Sequence, residues 1–330
     1  MLIASDGRRK LRFAWMKAGN GGRPAIRTEG LTKRFGDVVA LNNLTLDVAE
    51  GEVFGFLGPN GAGKSTTLRL LLGLIKPTAG RAEIKGIDVA RTTDVHGHLA
   101  YVPGDVSLWP RLTGEECLEL FARLQGGVDE TYRGELVDRF ELDLSKRARA
   151  YSKGNRQKVA LVAAFSRRPD VLLLDEPTSG LDPLMEQQFR RCVHEASERG
   201  QTIFLSSHIL SEVEELCARV GILRAGNLVE VSSVDALRQM HTTELEIDFD
   251  GEPPDLARVD GVESVERTPN GLRVRLAGSP SGVLSAIHGA DVTALRSQEA
   301  SLEEIFLAYY GDTGDRIADT ADVRHDDDPS

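Results

Sequence analysis

The sequence predicts an α/β fold built on a mixed sheet, with a smaller α+β unit after it. Three observations carry that expectation. Short runs such as Val53–Leu57 and residues 171–174 are apolar almost throughout, as strands buried on both faces are. Stretches with helical spacing separate such runs. Beyond Met240 the texture changes to short alternating strands broken by Gly, Pro and Asn.

Residues 1–24 read as a flexible N-terminal extension. They are basic through Arg8, Arg9, Lys10, Arg12 and Lys17, glycine-rich at 19–22, and without sustained periodicity. Met16 is a second candidate start. Residues 25–240 read as one large domain. Leu44, Leu46 and Val48 alternate with polar residues, as in a half-buried strand. Val53–Leu57 is a strand that ends in glycine, and residues 68–74 continue as a helix. Leu99–Val102 is a further strand. Gly114–Leu124 reads as a helix whose start carries a capping box, Thr113 with Glu116. Residues 155–165 are helical. Residues 171–174 form a central strand ending in carboxylates, and 202–205 another strand. Residues 220–223 and 228–231 flank Ala225-Gly226-Asn227, a hairpin signal.

Residues 241–311 read as a small α+β domain. Residues 244–249 alternate, 251–254 turn, and 262–267 and 272–276 are strands around Asn270-Gly271. Residues 281–288 are a helix and 292–295 a strand. Ser301 and Glu304 form a second capping box, with Leu302, Ile305, Phe306 and Tyr309 at helical spacing after it. This part offers no catalytic constellation. Residues 312–330 are polar and acidic and are expected to be disordered.

Composition narrows the function. The formal charge is −11, from 40 basic and 51 acidic side chains, which disfavours a nucleic-acid partner. No apolar run approaches the ~20 residues of a membrane span, and no signal-peptide pattern follows Arg8-Arg9-Lys10. Work at a membrane would therefore go through a partner. Cys117, Cys192 and Cys217 are widely spaced and read as small apolar fillers in a reducing compartment. His96 and His98 lack the neighbours of a metal site and read as a solvated loop.

The chemistry lies in the large domain. Gly58-Pro59-Asn60-Gly61-Ala62-Gly63-Lys64-Ser65-Thr66 is a G-x-x-x-x-G-K-S loop between strand and helix. Its glycines turn successive N–H groups toward a phosphate, and the helix N-terminus adds partial positive charge. Lys64 supplies a point charge to the β- and γ-phosphates. The Ser65 hydroxyl suits part of a Mg²⁺ shell. Asp175 and Glu176 end the apolar strand 171–174. Asp175 can hold Mg²⁺ through water, and Glu176 can polarise an attacking water as general base. His208, after the strand 202–205 and Ser206-Ser207, can reach the γ-phosphate.

In this order the motifs resemble the nucleotide-binding subunit of ABC transporters, over residues 26–231. The resemblance implies ATP as ligand and ATP hydrolysis as activity. It makes Gly58 to Thr66 the Walker A motif, and Asp175-Glu176-Pro177-Thr178 the Walker B motif. Ser179-Gly180-Leu181-Asp182 matches the D-loop and His208 the switch histidine. Phe35 stands where the family has an adenine-stacking aromatic. Tyr151-Ser152-Lys153-Gly154-Asn155 matches the signature motif in a variant form. Ser152 and the Gly154 N–H open a helical stretch, so they form a second anion site. In the family this site serves the ATP of the opposite subunit, which implies a second copy of the chain as partner.

The segments Tyr101-Val102-Pro103 and Leu108-Trp109-Pro110-Arg111-Leu112-Thr113 narrow the resemblance, with the Tyr-Ser-Lys-Gly signature and the C-terminal Leu302-Glu303-Glu304-Ile305-Phe306. They look like ATPases of the daunorubicin-resistance type. Those power drug or antibiotic export through a separate integral-membrane permease, from the cytoplasmic face of the bacterial membrane. A soluble ABC-type ATPase acting on nucleic acid or ribosomes, and an importer ATPase, are the alternative readings. One departure stands out. The family has Gln or Glu after the proline at position 103, and here Gly104 is followed by Asp105. Either Asp105 contributes to the Mg²⁺ shell, or water completes it beside Ser65 and Asp175. Asp105 as a simple turn residue is the third possibility.

Overall fold

The computed structural model describes residues 23–124, 126–239, 243–276 and 279–298. The expected extension up to residue 22, the helix after Ser301 and the acidic tail 312–330 lie outside these. The chain divides between Ser232 and Ser233 into two compact units. This falls ahead of the Met240 boundary read from the sequence, because the helix Val234–Gln239 counts with the second unit. Among the described residues no helix is long and apolar enough to cross a membrane.

The first unit opens with β1 (Ile26–Phe35) and β2 (Val38–Val48), paired antiparallel. The register of β1 slips at three places, one beside the left-handed Gly30 at φ 58°. Each slip breaks the alternation that marks a strand in sequence. After β3 (Val53–Leu57) comes α1 (Lys64–Leu71), then β4 (Ala79–Ile84) and β5 (Ile87–Asp88). Strands β2, β1, β4 and β5 form an antiparallel sheet in that order. Helix α1 stops short of the expected residue 74. Gly73 turns left-handed at φ 66°, and a Cβ there would lie 2.7 Å from the Val89 carbonyl.

The chain continues through α2 (Thr92–His96), β6 (Leu99–Val102), α3 (Gly114–Leu124) and α4 (Glu130–Arg139). Both halves of the α3 capping box are made: Thr113 N–H to Glu116 Oε2 at 2.7 Å, and Glu116 N–H to Thr113 Oγ1 at 3.2 Å. A 3₁₀ turn (Ala148–Ala150) leads into α5 (Lys153–Ser166) and β7 (Val171–Asp175). Then follow α6 (Pro183–Glu198), β8 (Thr202–Ser207), α7 (Leu210–Leu216), β9 (Arg219–Arg224) and β10 (Asn227–Ser233).

The second sheet has the order β10-β9-β3-β8-β7-β6. Strands β9, β3, β8, β7 and β6 run parallel. Helix α1 packs between the two sheets. Leu68 and Leu71 meet Leu44 and Ile84 from one sheet, and Phe54, Phe56, Leu173 and Phe204 from the other, in one buried cluster. Phe204 stacks on Phe54 at 5.7 Å and lies 5.1 Å from Phe56. Each such buried ring is worth about 1.5–3 kcal/mol. That packing fixes where β3, β7 and β8 end, and the site is built at those ends.

The second unit holds α8 (Val234–Gln239), β11 (Thr243–Phe249), β12 (Val262–Thr268), β13 (Gly271–Leu276), α9 (Ser281–Ala286) and β14 (Val292–Gln298). Its antiparallel sheet has the order β12-β13-β11-β14. Leu245, Ile247, Leu272 and Val274 form the core with Val283 and Ile287 around α9. The opposite set on β11, Glu244, Glu246 and Asp248, pairs with Arg273, Arg275 and Arg296. The hairpin expected around Asn270-Gly271 turns through Pro269-Asn270 instead, since Gly271 already pairs with Thr268. Gly271 answers to a different constraint. A Cβ there would sit 1.9 Å from the Ile247 carbonyl of the neighbouring β11.

Candidate nucleotide site

Strand β3 is buried along its whole length between β8 and β9. It delivers Gly58 against β9, where a Cβ would lie 2.6 Å from the Leu223 carbonyl. At the other end of the loop Gly63 has φ 111°, and a Cβ would lie 2.5 Å from the Ala40 carbonyl. Only glycine fits both positions. Pro59, Asn60 and Gly61 are exposed along the loop, and Ala62 is buried. Helix α1 begins without a side-chain cap and without an acidic residue in its first turn. Its free N–H groups and partial charge therefore face an anion unopposed. Ser65 is exposed and Thr66 half-buried on that turn.

Lys64 is 5% exposed. Its ammonium donates to the Gly58 carbonyl at 2.6 Å and the Pro59 carbonyl at 3.2 Å, and lies 3.7 Å from Glu176 Oε1. Burial pushes its pKa down, and Glu176 and Asp175 pull it back up.

Strand β7 ends at the buried Asp175. Ser206 Oγ, at the matching height of β8, donates to Asp175 Oδ1 at 3.0 Å. The Ser206 carbonyl also accepts the Glu176 N–H at 2.9 Å. That bond holds Glu176 at φ 46°, left-handed backbone that costs a non-glycine residue roughly 1–2 kcal/mol. The strained turn aims Glu176 Oε1 at two groups, Lys64 at 3.7 Å and His208 Nδ1 at 3.2 Å. The Lys64 cation and the His208 ring therefore meet at one carboxylate oxygen of Glu176. Position 104 abuts the same place: a Cβ on Gly104 would be 3.2 Å from the Asp175 carbonyl and 3.6 Å from Glu176 Cβ. Asp105, one residue on, is exposed.

The variant signature opens α5. Ser152 caps the helix by accepting the Asn155 N–H at 3.2 Å. Lys153 Nζ donates to Ser179 Oγ at 2.6 Å. Gly154 lies directly on the D-loop, where a Cβ would be 2.3 Å from the Gly180 carbonyl. Arg156 Nε donates to the Val106 carbonyl at 3.2 Å, and Gln157 Nε2 to that of Pro103 at 3.4 Å. Among the described residues no hydrogen bond or ion pair joins 152–155 to the 58–66 loop. Asp182 caps α6 by accepting the N–H groups of Leu184 and Met185, both at 3.1 Å. Phe35, at the end of β1, is 50% exposed, with the Lys33 ammonium 4.9 Å from its ring centre.

Ser206, Ser207, Arg156 and Gln157 do not stand out in the sequence. The available signal for the first two is a pair of hydroxyls closing the otherwise apolar end of β8.

Residues 41–179 match the ABC transporter family, and residues 233–310 match the C-terminal domain of the ATP-binding protein DrrA1-3-like family. Over 303 residues the chain is 35% identical to the bacitracin transport ATP-binding protein BcrA of Bacillus licheniformis, spanning 87% of this chain and 97% of that one. The chain belongs to the ABC transporter ATPases. Among solved structures it is similar to an ATP-binding subunit of an ABC transporter, with TM-score 0.62 and 33% identity over 65% of this chain and 92% of that one. It is also similar to a dimeric ATP-binding cassette in a post-hydrolysis state bound to ADP and Pi, with TM-score 0.57 and 26% identity over 63% and 98% of the two chains. As an ABC ATPase the chain binds and hydrolyses ATP. The donor set fits Mg²⁺ as the nucleotide's companion. Ser65 and Asp175 offer hard oxygen ligands of the kind Mg²⁺ takes.

Proposed function

We propose that this ABC ATPase drives export of a drug or antibiotic through a separate membrane permease, docked on its cytoplasmic side. Two kinds of likeness support the export reading. One is to a bacitracin transport ATPase over nearly the whole of that protein, and the other is the DrrA1-3-like C-terminal domain. Two copies would sandwich two ATP molecules. The signature of each, Ser152 to Asn155, would complete the other's site, a reading supported by the place of the signature at the start of α5 and by the dimeric relative. Lys64 and the loop amides hold the phosphates, and Phe35 stacks on the base. Asp182 borders the shared nucleotide through the loop it anchors. Ser65 and Asp175 would hold Mg²⁺, which screens phosphate charge when bound. Asp105 is the candidate for an additional ligand, with water the alternative in that place.

The observation that carries the hydrolytic assignment is the shared Glu176 oxygen, 3.2 Å from His208 and 3.7 Å from Lys64. Glu176 takes a proton from the attacking water, and His208 orients that carboxylate and the terminal phosphate. Glu176→Gln should retain ATP binding, stop turnover and accumulate an ATP-bound dimer in size-exclusion chromatography with Mg-ATP. A variant that still turns over, or a wild type that hydrolyses ATP while monomeric throughout, overturns the scheme. For the export role, cells lacking this chain should lose tolerance to an amphipathic antibiotic. Wild type should restore it and Glu176→Gln should not.

A further inference from the structure

Beside the hydrolytic residues stands a buried carboxyl with no assigned role. Glu212, in the first turn of α7, is 4% exposed. Among the described residues no cation forms an ion pair with it. Its Oε1 makes no hydrogen bond, although the Thr178 hydroxyl lies beside the carboxyl. Its Oε2 accepts the Ser207 hydroxyl at 2.7 Å. Ser207 is itself buried, and its Oγ in turn accepts the Ile209 N–H at 3.0 Å. Those two bonds pin the residues on both sides of His208.

We infer that Glu212 is a positioning residue for ATP hydrolysis: through Ser207 it fixes the turn that holds His208 against Glu176. The inference rests on the hydrolytic reading of Glu176 and His208. A buried, unpaired carboxyl is expensive, and an apolar residue would pack the same volume at less cost. What the carboxyl supplies is direction. It accepts the hydrogen bond of the Ser207 hydroxyl, which leaves a Ser207 lone pair for the Ile209 N–H. That orders the backbone of the switch turn and with it the 3.2 Å approach of His208 to Glu176.

A carboxyl that merely caps α7 would lower the melting temperature of a variant and leave turnover per folded molecule intact. Positioning makes a different signature. Glu212→Ala should lower kcat by about tenfold to a hundredfold, the scale of a misplaced catalytic group, with KM for ATP changed by less than about threefold. Ser207→Ala should give the same split. The double variant should be no worse than either single one, because both remove one path. Glu212→Gln keeps an acceptor for Ser207 and should recover most of the lost kcat. Should Glu212→Ala fail to fold, Ser207→Ala still decides. Unchanged kcat in Ser207→Ala, additive losses, or equal loss in Gln and Ala overturns the inference. Glu176→Gln measured alongside separates the two readings: full turnover there overturns the hydrolytic pair itself. A dead Glu176→Gln with an unaffected Ser207→Ala overturns only the role of Glu212.

Discussion

Burial opposes the charge of Lys64, and the carboxylates of Glu176 and Asp175 favour it. Its ammonium is held by two loop carbonyls and by the field of Glu176 and Asp175, so it is poised over the phosphate cradle. Replacing it with Ala leaves the cradle amides but removes a charge-assisted contact of about 1.5–3 kcal/mol. Nucleotide titration of Lys64→Ala should therefore show ATP affinity reduced by about tenfold to a hundredfold; unchanged affinity would count against the cradle. Glu212 offers a test by pH. Burial raises its pKa, against the pull of the Ser207 and Thr178 hydroxyls and Arg190, and Glu186 adds to the rise. The folded chain thus binds this proton more tightly than the unfolded chain. Stability from this group is present at low pH and falls as pH rises from the ordinary carboxyl range through the raised value. Gln cannot titrate. The melting temperature of Glu212→Gln should therefore gain on wild type as pH rises across that window, and a constant difference from acid to neutral would contradict the buried titration. The cradle and the strand-end carboxylates are legible in sequence because each needs rare residue types at fixed spacing. Glu212 is not, since Glu212, Glu214 and Glu215 look alike until α7 turns Glu212 inward with Val213 and Leu216.

At the level of elements, legibility follows regularity. Strands β3, β7 and β8 are uniform apolar runs and are readable. Strand β1 is not, because its register slips erase its alternation. The β12–β13 hairpin shows a right element inferred for a wrong reason: Gly271 is required by the passing β11 backbone, not by the turn. Helix α5 touches both the D-loop and the 103–106 segment. Gly154→Ala would gain about 1 kcal/mol or less in helix propensity. It would also drive a Cβ to 2.3 Å from the Gly180 carbonyl, and overpacking of backbone costs about 1–3 kcal/mol. The clash wins. ATPase measurements on Gly154→Ala should show reduced turnover with ATP affinity of the single chain retained, because residues 58–66 are untouched. Full activity would mean that the signature helix and D-loop need not abut.

For the whole molecule, the division at Ser232/Ser233 separates every proposed nucleotide contact, from Phe35 to His208, from the DrrA1-3-like unit. A chain ending at Ser232 should therefore bind ATP with affinity within about threefold of the full chain, since its core and cradle are intact. A large loss in the same titration would show that the second unit shapes the site. The site's own unit has a further property. The carbonyls of Pro103 and Val106 are anchored by Gln157 and Arg156, while the D-loop is anchored by Lys153 and seated on Gly154, all within five consecutive residues. Both loops are thus hung from a single turn of one helix. They behave as the two pans of one balance: a load placed on the 103–106 segment is weighed at Gly180 through α5, beside the path through β6 and its paired neighbour β7.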